Sequence, residues 1–220
     1  MEKDKIIYPY LLDFMRKTRR ERDGILGEIE RNARKEEYPI SEPETADLID
    51  IICRIKKPRR ILEIGTCIGF SALLMKEACG GKAVIHTLER NPAMIKPARE
   101  NFEKYDPEKT ITMFEGSALE TLEKLTEPYD FIFLDAAKGQ YPYFLEHIKR
   151  LLSPDGILIS DNVFFGGYVA KGEPDVRRNR TIVTRLGEYL EKLENISDMH
   201  TVLLPISDGV TLSYRMVDKN

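Results

Sequence analysis

The chain has 220 residues and a formal net charge of −3 at pH 7. This length fits a single domain spanning residues 1–220, and a composition of 42% hydrophobic and 32% charged residues is typical of a globular protein. The small negative charge excludes a surface that is basic throughout, but it leaves room for a local basic patch.

The cysteines and the hydropathy of the chain limit its environment. Cys53, Cys67 and Cys79 show no CxxC spacing, so the sequence predicts neither a zinc site nor a disulfide framework. This cysteine usage is typical of a reducing compartment, and we expect a cytoplasmic protein. No apolar stretch is long enough to cross a bilayer, so we expect no membrane partner.

The first 57 residues predict a helical extension, followed by a core at 58–220. Ile6, Ile7, Tyr10, Leu11 and Phe14 fall at helical spacing. The segment 41–44 reads Ser-Glu-Pro-Glu and predicts a capping box with proline in the first turn. The helix that it opens is expected to end before Pro58.

From residue 58 onward, predicted strands and helices alternate. The predicted strands are 61–64, 83–88, 111–114, 131–134 and 157–159, and the predicted helices are 71–78, 92–105, 118–125, 143–152 and 177–193. Two final runs, 201–204 and 210–216, predict an antiparallel pair. The chain is therefore expected to form an α/β fold with a doubly wound, seven-stranded, mostly parallel sheet and one antiparallel strand.

The first strand-to-helix turn favours a nucleotide ligand. Residues 63–71 read Glu-Ile-Gly-Thr-Cys-Ile-Gly-Phe-Ser, a GxxxG spacing that differs from the GxGxxG of dinucleotide sites and from a P-loop. Glu89, which ends the second strand, can accept both hydroxyls of a ribose. Gly116-Ser117-Ala118 ends the third strand, near where an adenine would lie. Each turn alone is common in α/β folds, whereas the combination favours a nucleotide site.

Oxygen-bearing side chains follow the fourth and fifth strands. Asp135 ends the first of these strands and Asp161-Asn162 ends the next, and parallel strands bring such residues to one edge of the sheet. Donors that are all oxygen suit Mg²⁺, Mn²⁺ or Ca²⁺. Lys138 lies nearby and could act as a general base beside such a cation if the cation and burial lower its pKa. The alternative is that the acids cap loops and the lysine is solvated.

These motifs resemble a known family. The nucleotide pattern looks like the S-adenosylmethionine site of Rossmann-like methyltransferases. Leu134–Lys138 and Ser160–Asn162 are similar to the metal-dependent class I O-methyltransferases related to catechol and caffeoyl-CoA O-methyltransferases. The resemblance covers roughly residues 38–215 and implies S-adenosylmethionine and Mg²⁺ as cofactors. It implies cofactor contacts at Ile40, Glu63, Gly65, Gly69, Ser71, Glu89, Gly116, Ser117, Ala118 and Asp135, metal ligands at Asp135, Asp161 and Asn162, and catalytic roles for Lys138 and Asp135.

Three segments narrow the resemblance to a subgroup. Residues 135–141, 152–163 and 205–209 look like the bacterial tRNA 5-hydroxyuridine methyltransferases. That likeness implies methylation of 5-hydroxyuridine at the tRNA wobble position to 5-methoxyuridine. We expect the phosphates of the anticodon loop to be contacted by Lys171, Arg177, Arg178 and Arg180, with Arg185 as a further candidate.

Two other functions stay open at this point. The same metal chemistry suits a small catechol or caffeoyl-type phenol, because such phenols also offer two vicinal oxygens. The third possibility is a noncatalytic nucleotide-binding module, against which the complete set of acids and lysine argues. The N-terminal helices are expected either to cover the mouth of the site or to build a homodimer.

Overall fold

A computed structural model describes residues 7–174 and 176–217, so the predicted apolar position at Ile6 lies outside the described residues. Its centre is a seven-stranded sheet with the order β3-β2-β1-β4-β5-β7-β6. The strands are β1 (Arg60–Ile64), β2 (Val84–Glu89), β3 (Ile111–Glu115), β4 (Tyr129–Leu134), β5 (Leu152–Asp161), β6 (Met199–Leu204) and β7 (Val210–Arg215). Neighbouring strands from β3 to β5 run parallel, whereas β7 pairs antiparallel with both β5 and β6. The predicted fold class is confirmed.

Helices cover both faces of this sheet. They are α1 (Pro9–Thr18), α2 (Gly24–Lys35), α3 (Pro43–Lys56), α4 (Phe70–Ala78), α5 (Pro92–Tyr105), α6 (Ala118–Lys124), α7 (Tyr141–Leu151), α8 (Tyr168–Lys171) and α9 (Arg180–Glu194). Short 3₁₀ turns at Lys138–Gln140 and Arg177–Asn179 precede α7 and α9. No helix among the described residues is long and apolar enough to cross a membrane.

Side-chain alternation along β4 explains the two layers. Phe131 and Phe133 belong to an apolar cluster that includes α2 to α5, whereas Ile132 and Leu134 belong to one that includes α6, α7 and α9. Successive side chains of a strand point to opposite faces, so a strand covered on both sides is apolar throughout. The switch in strand order lies between β1 and β4, where α/β folds bind ligands at the carboxyl ends of the strands.

Several element boundaries differ from the sequence prediction. Helix α3 begins at Pro43 with Glu42 as its N-cap and no side-chain capping bond, so the predicted capping box is wrong. The acids there pair instead with arginines from α1 and α2: Arg16 bonds both Glu42 and Glu44.

The region around β5 and α9 also differs. Strand β5 begins at Leu152, since Leu152 pairs with Tyr129 ahead of a register shift, and α7 therefore ends at Leu151. A helix was predicted over 177–193, but residues 177–179 form a 3₁₀ turn and α9 runs from Arg180 to Glu194. Short 3₁₀ turns are common where a helix begins, and side-chain periodicity alone does not distinguish them.

Candidate active site

A cavity of about 520 Å³ opens at the carboxyl ends of β1, β2, β4 and β5. We call it the strand-end cavity. The predicted site residues that line it are Ile40, Gly65, Ser71, Glu89, Gly116, Ala118, Asp135, Lys138, Asp161 and Asn162. Glu63, Gly69 and Ser117 are absent from its lining and act behind it, as described below.

Gly65 joins the turn after β1 to the end of β4. Its φ is 111°, and an added Cβ would lie 1.9 Å from the backbone oxygen of Asp135. The amide of Asp135 donates to the carbonyl of Ile64 at 2.9 Å, and the amide of Gly65 donates to Leu88 at 3.0 Å. Only glycine fits between these backbones. The turn after β1 and the turn after β4 are therefore in direct contact.

Gly69 and Ser117 shape the turns without facing the cavity. Gly69 has φ 84° at the start of α4, and an added Cβ would lie 2.5 Å from the ring of Phe102. Ser117 caps α6, because its hydroxyl accepts from the amide of Glu120 at 3.5 Å. Both residues fix the path of the backbone that lines the cavity.

Glu63 is a fully buried carboxyl group near the end of β1. It accepts hydrogen bonds from the hydroxyls of Ser71 and Thr87, the latter at 2.5 Å. Burial raises the pKa of Glu63 to about 8, although these two hydrogen bonds act in the opposite direction. Ser71 lines the cavity and Glu63 does not, so Glu63 is connected to the cavity wall through its hydrogen bond with Ser71.

Glu89 is held rigidly at the end of β2. One carboxylate oxygen accepts from the amide of Cys67 at 2.9 Å, and the other accepts from the amides of Arg90 and Asn91 at 2.9 and 2.8 Å. Two carboxylate oxygens offer about four acceptor sites. Three backbone donors thus orient the group, and the remaining capacity faces a cavity that also includes Met94.

The predicted metal ligands come from adjacent strand ends. Leu134 pairs with Ser160, so Asp135 and Asp161 are the next residues on neighbouring parallel strands. Asp161 is 1% exposed, and its Oδ1 accepts from the amide of Asn162 at 2.7 Å. Burial raises the pKa of Asp161, and the like charge of Asp135 raises it further.

Lys138 pairs with one of these acids. Its ammonium lies 2.5 Å from Oδ1 of Asp135, and both side chains are about four-fifths buried, at 18% and 20% exposure. Burial alone would lower the pKa of Lys138, but Tyr141 and Asp135 outweigh it and the pKa is raised. Lys138 is therefore protonated in this arrangement, in contrast to the lowered pKa that a base requires.

Tyr141 is a site residue to which the sequence analysis assigned no role. Its buried hydroxyl donates to the carbonyl of Asp161 at 3.0 Å, lies 3.2 Å from the carbonyl of Leu134, and accepts from Lys138 at 3.2 Å. One phenol thus links the ends of β4 and β5 to the lysine. Its spacing three residues after Lys138 was the available signal, since that spacing suits one helical turn.

Thr45 is a second site residue that the sequence did not indicate. It is fully buried in α3, and its hydroxyl lies 3.0 Å from that of Ser207 and 3.5 Å from Oδ1 of Asp161. The N-terminal helices therefore reach the proposed metal ligands directly. Nothing in the local sequence separates this threonine from an ordinary polar residue of a helix.

The donor set fits a hard divalent cation. Asp135, Asp161 and Asn162 provide only oxygen ligands in the cavity lining, and the charge of Asp135 raises the pKa of Asp161, an effect that a bound cation would oppose. Within residues 7–174 and 176–217, no group of three or more histidine, cysteine, aspartate or glutamate side chains could hold a metal ion. The proposed ligand set contains only two such side chains, Asp135 and Asp161, because its third member is the amide of Asn162.

None of the predicted basic residues at 171–185 lines the cavity. The 3₁₀ turn that carries Lys138 packs against α9, and Arg185 of α9 donates to the carbonyl of Gly139 at 3.0 Å. Arg177 and Arg178 are exposed in the 3₁₀ turn before that helix, and Arg180, its first residue, is also exposed. Lys171 ends α8 and is also exposed.

A family comparison agrees with this geometry. A model of the O-methyltransferase family matches residues 17–216. The chain therefore belongs to that family, the S-adenosylmethionine-dependent class I group that includes enzymes of the catechol and caffeoyl-CoA type. The predicted family is confirmed at this level.

Individual relatives support the same assignment. The O-methyltransferase ankF of Aspergillus thermomutatus is 34% identical over 189 residues, which are 80% of this chain and 78% of that protein. The caffeoyl-CoA O-methyltransferase of Stellaria longipes is 28% identical over 82% of this chain and 80% of its own length. The crystal structure of SAH-bound methyltransferase PaMTH1 from Podospora anserina superposes with a TM-score of 0.84 at 31% identity, covering 95% of this chain and 94% of that one.

Proposed function

We propose that this protein transfers the methyl group of S-adenosylmethionine to the 5-hydroxyl of 5-hydroxyuridine at the tRNA wobble position, with Mg²⁺ or a related divalent cation as a second cofactor. The product is 5-methoxyuridine. In this reaction a bond forms between the acceptor oxygen and the methyl carbon, and the bond from that carbon to sulfur breaks. The acceptor hydroxyl proton leaves through the protein.

The cofactor half of the cavity suits the adenosine part of S-adenosylmethionine. The fixed carboxylate of Glu89 can accept the two ribose hydroxyls, and Gly116 and Ala118 lie at the end of β3, where the adenine would pack. Gly65 allows the backbone to approach the ligand closely. A relative of known structure, PaMTH1, is SAH-bound, and SAH is the form of the cofactor left after methyl transfer.

The other half of the cavity suits the acceptor. A divalent cation held by Asp135, Asp161 and Asn162 would supply the positive charge that favours ionisation of the acceptor hydroxyl. Lys138 lies beside Asp135 and is positioned to take the hydroxyl proton. A cation bound to Asp135 would weaken the attraction between this carboxylate and the lysine ammonium, so the lysine would release its own proton more easily and could then act as the base. Tyr141 keeps the amine beside these acids.

The observation that carries the RNA acceptor is a basic run formed by Arg177, Arg178 and Arg180. Arg177, Arg178 and Arg180 are exposed, and none of them has a carboxylate partner in the part of the chain that the structure describes. Arg180 begins α9, the helix that packs on the turn carrying Lys138, and Arg177 and Arg178 lie in the 3₁₀ turn before it. Exposed arginines without a carboxylate partner suit the phosphates around a splayed base, and single-stranded RNA is usually bound with its bases splayed out.

A small phenol is the second candidate acceptor. The caffeoyl-CoA O-methyltransferase of Stellaria longipes is a relative at 28% identity, and a caffeoyl group offers two vicinal oxygens as 5-hydroxyuridine does. The chemistry proposed for Lys138, Asp135 and Asp161 is the same in both cases. The two acceptors differ in one respect: the tRNA would need Arg177, Arg178 and Arg180 for its phosphates, whereas a small phenol would not.

A methyl-transfer assay tests the acceptor and the metal together. Purified protein with labelled S-adenosylmethionine and Mg²⁺ would be given tRNA that carries 5-hydroxyuridine or a simple catechol, each with and without EDTA. We expect EDTA-sensitive labelling of the tRNA. Labelling of the catechol alone would move the protein to the small-phenol branch, and labelling that resists EDTA would remove the metal from the proposal.

Two variants sharpen this assay. Asp161→Asn keeps the size of the side chain but removes a carboxylate ligand, and we expect activity to fall at least about 100-fold. Asp130→Asn is the matched control, because Asp130 lies near the opposite end of β4 and bonds backbone amides of Arg59 and Arg60. Equal losses in both variants would argue against a metal role for Asp161.

The homodimer stays a prediction. Helix α1 has no buried residue, and its Tyr10 and Phe14 are 71% and 65% exposed. Sedimentation of the purified protein at micromolar concentration would measure the oligomer directly.

A further inference from the structure

The N-terminal helices contain an arginine cluster, which we define as Arg16, Arg19, Arg22 and Arg34, and its hub is Glu30. Glu30 is 6% exposed, although glutamate is rarely buried without partners. Guanidinium nitrogens of Arg19, Arg22 and Arg34 lie 3.3, 3.2 and 3.3 Å from its carboxylate oxygens. Three cations thus compensate the burial of one acid.

Arg34 connects this hub to the strand-end cavity. Its Nη2 donates to the carbonyl of Ser41 at 3.0 Å as well as to Glu30, and its Nη1 lies 3.6 Å from the carboxylate of Glu42. Ser41 and Glu42 both line the strand-end cavity. A single guanidinium therefore contacts the hub and the wall of the cavity.

The wall in question is the segment 39–42, which we call the cavity rim. All four of its residues line the cavity, as do Cys67 and Glu89. The rim belongs to no helix or strand, and its local backbone bond runs from the amide of Ile40 to the carbonyl of Tyr38 at 2.8 Å. A connecting segment of this kind depends on side-chain contacts for its position.

The cluster is better suited to holding the rim than to binding an anion. A neighbouring pocket of about 280 Å³ is lined by all four arginines of the cluster, which would suggest an anion site. Each of the four arginines, however, already pairs with a carboxylate: Arg16 with Glu44 at 2.7 Å and Arg22 with Asp47 at 2.5 Å, in addition to the contacts above. An incoming anion would have to break these pairs.

We infer that Arg34 is a positioning residue for cofactor binding, and that the arginine cluster fixes the cavity rim against the ligand. This gives the N-terminal helices a role in the site that is separate from dimer formation. The inference rests on the proposed cofactor, but it depends on neither the acceptor nor the metal.

Calorimetric titration with S-adenosylhomocysteine tests the inference without acceptor or metal. In the presence of EDTA, we expect Arg34→Gln to raise the Kd about fivefold relative to the natural chain. Arg34→Lys keeps the charge and a donor, and we expect its Kd to stay within twofold. With S-adenosylmethionine as the varied substrate, KM should rise in parallel with Kd while kcat changes less than twofold.

Arg31→Gln is the matched control. Arg31 lies on the same helix and lines the same pocket, but within the described residues its side chain makes a single hydrogen bond, to the carbonyl of Arg22 at 3.4 Å, and no ion pair. We expect its Kd to be unchanged. A Kd for Arg34→Gln within twofold of the natural chain, or an equal weakening in Arg31→Gln, would overturn the inference.

The remaining outcomes are also decisive. If Arg34→Gln does not fold, Arg16→Gln takes its place, because Arg16 bonds the rim residue Glu42 at 3.0 Å, and an unchanged Kd there would overturn the inference. A fall in kcat at unchanged Kd would show a role other than positioning the cofactor. If the natural chain binds no S-adenosylhomocysteine, the proposed cofactor itself fails.

Discussion

Arginines are dense in two regions of this molecule, and the two groups differ in what their charges face. In the arginine cluster every guanidinium pairs with a carboxylate, and Arg19 and Arg22 are only 16% and 13% exposed at their side chains. In the basic run Arg177, Arg178 and Arg180 are exposed, with no carboxylate partner among the described residues.

The difference teaches which charges belong to the fold and which are available to a partner. A guanidinium held in a partly buried network contributes to stability, and losing one member leaves others unpaired. An exposed and unpaired guanidinium contributes little to folding. The sequence alone does not show which of the two groups is paired and which is exposed, because both lie in charged segments that are predicted to be helical.

The largest expected effect is at the hub of the cluster. Glu30→Ala leaves three arginines with fewer partners, and we expect the free energy of unfolding to fall by about 3 kcal/mol in urea titration. Glu28→Ala, an exposed position on the same helix, is the control and should change stability by less than about 0.5 kcal/mol. Equal losses for the two variants would remove the distinction between the arginine groups.

The same variant should also change how the free energy of unfolding depends on pH in the acid range. Burial alone would raise the pKa of Glu30, but Arg19 and Arg22 outweigh it and the pKa is lowered. Its contribution is therefore present above the pKa of the unfolded chain and lost as pH falls through the lowered value. The loss caused by Glu30→Ala should be large at pH 7 and shrink toward pH 3.

The next largest effect on stability is expected at Glu63, a buried acid whose hydrogen bonds come from the hydroxyls of Ser71 and Thr87. The pKa of Glu63 is raised to about 8 from an ordinary value of 4.5, so the folded protein holds this proton more tightly than the unfolded chain. The stabilising contribution is complete below about pH 4.5 and is lost as pH rises toward 8. Glu63→Gln mimics the protonated form and should raise the free energy of unfolding of the ligand-free protein by about 2 kcal/mol at pH 8.5.

The same substitution should be nearly neutral at pH 5, where the natural chain also carries the proton. Urea titrations at the two pH values measure the difference. A gain of equal size at both values would show that ionisation of Glu63 is not its cause.

A smaller effect is expected at an ordinary surface pair. Arg54 lies four residues after Asp50 on α3 and bonds it at 2.8 Å, but its side chain is 49% exposed. Arg54→Gln should lower the free energy of unfolding by about 0.4 kcal/mol, and added salt should reduce the difference. A loss as large as that of Glu30→Ala would mean that exposure does not separate the two kinds of arginine.

The smallest effect on stability is expected for the basic run. The triple variant Arg177→Gln, Arg178→Gln, Arg180→Gln should unfold within about 0.3 kcal/mol of the natural chain, because no ion pair among the described residues is lost. Its affinity for tRNA should fall about tenfold, and the salt dependence of log Kd should weaken by about 2 in slope. Filter binding at several salt concentrations measures both quantities.

Arg54→Gln serves as the control for this binding experiment, since it removes an exposed arginine from another part of the surface. A triple variant that binds tRNA as the natural chain does would argue against the RNA acceptor. Catechol turnover, if present, should be the same in all three proteins.

The fold and most of the cavity lining could be predicted from the sequence, because both depend on short-range patterns. Apolar runs such as 131–134 identify buried strands, and topology then brings Asp135 and Asp161 to one edge. The contributions of Tyr141 and Thr45 could not be predicted in the same way. Thr45 reaches Asp161 across 116 positions of sequence, and only the packing of α3 brings them together.

The start of α3 shows the same limit at a single residue. A local rule predicted that Ser41 and Glu44 would cap the helix, yet Glu44 bonds Arg16 from a different helix. Local propensity is a weak guide where a charged partner from elsewhere competes for the same side chain. The same competition keeps Lys138 protonated against the lowering effect of burial.

The contact between Gly65 and Asp135 has a consequence for engineering. Because the backbone oxygen of Asp135 lies 1.9 Å from the place of a Cβ on Gly65, the turn after β1, which is proposed to bind the cofactor, cannot be redesigned independently of the turn that carries the proposed metal ligand. The exposed arginines at 177–180 have no such neighbour constraint among the described residues. A library that seeks new acceptors should therefore diversify that outer segment and leave the two inner turns intact.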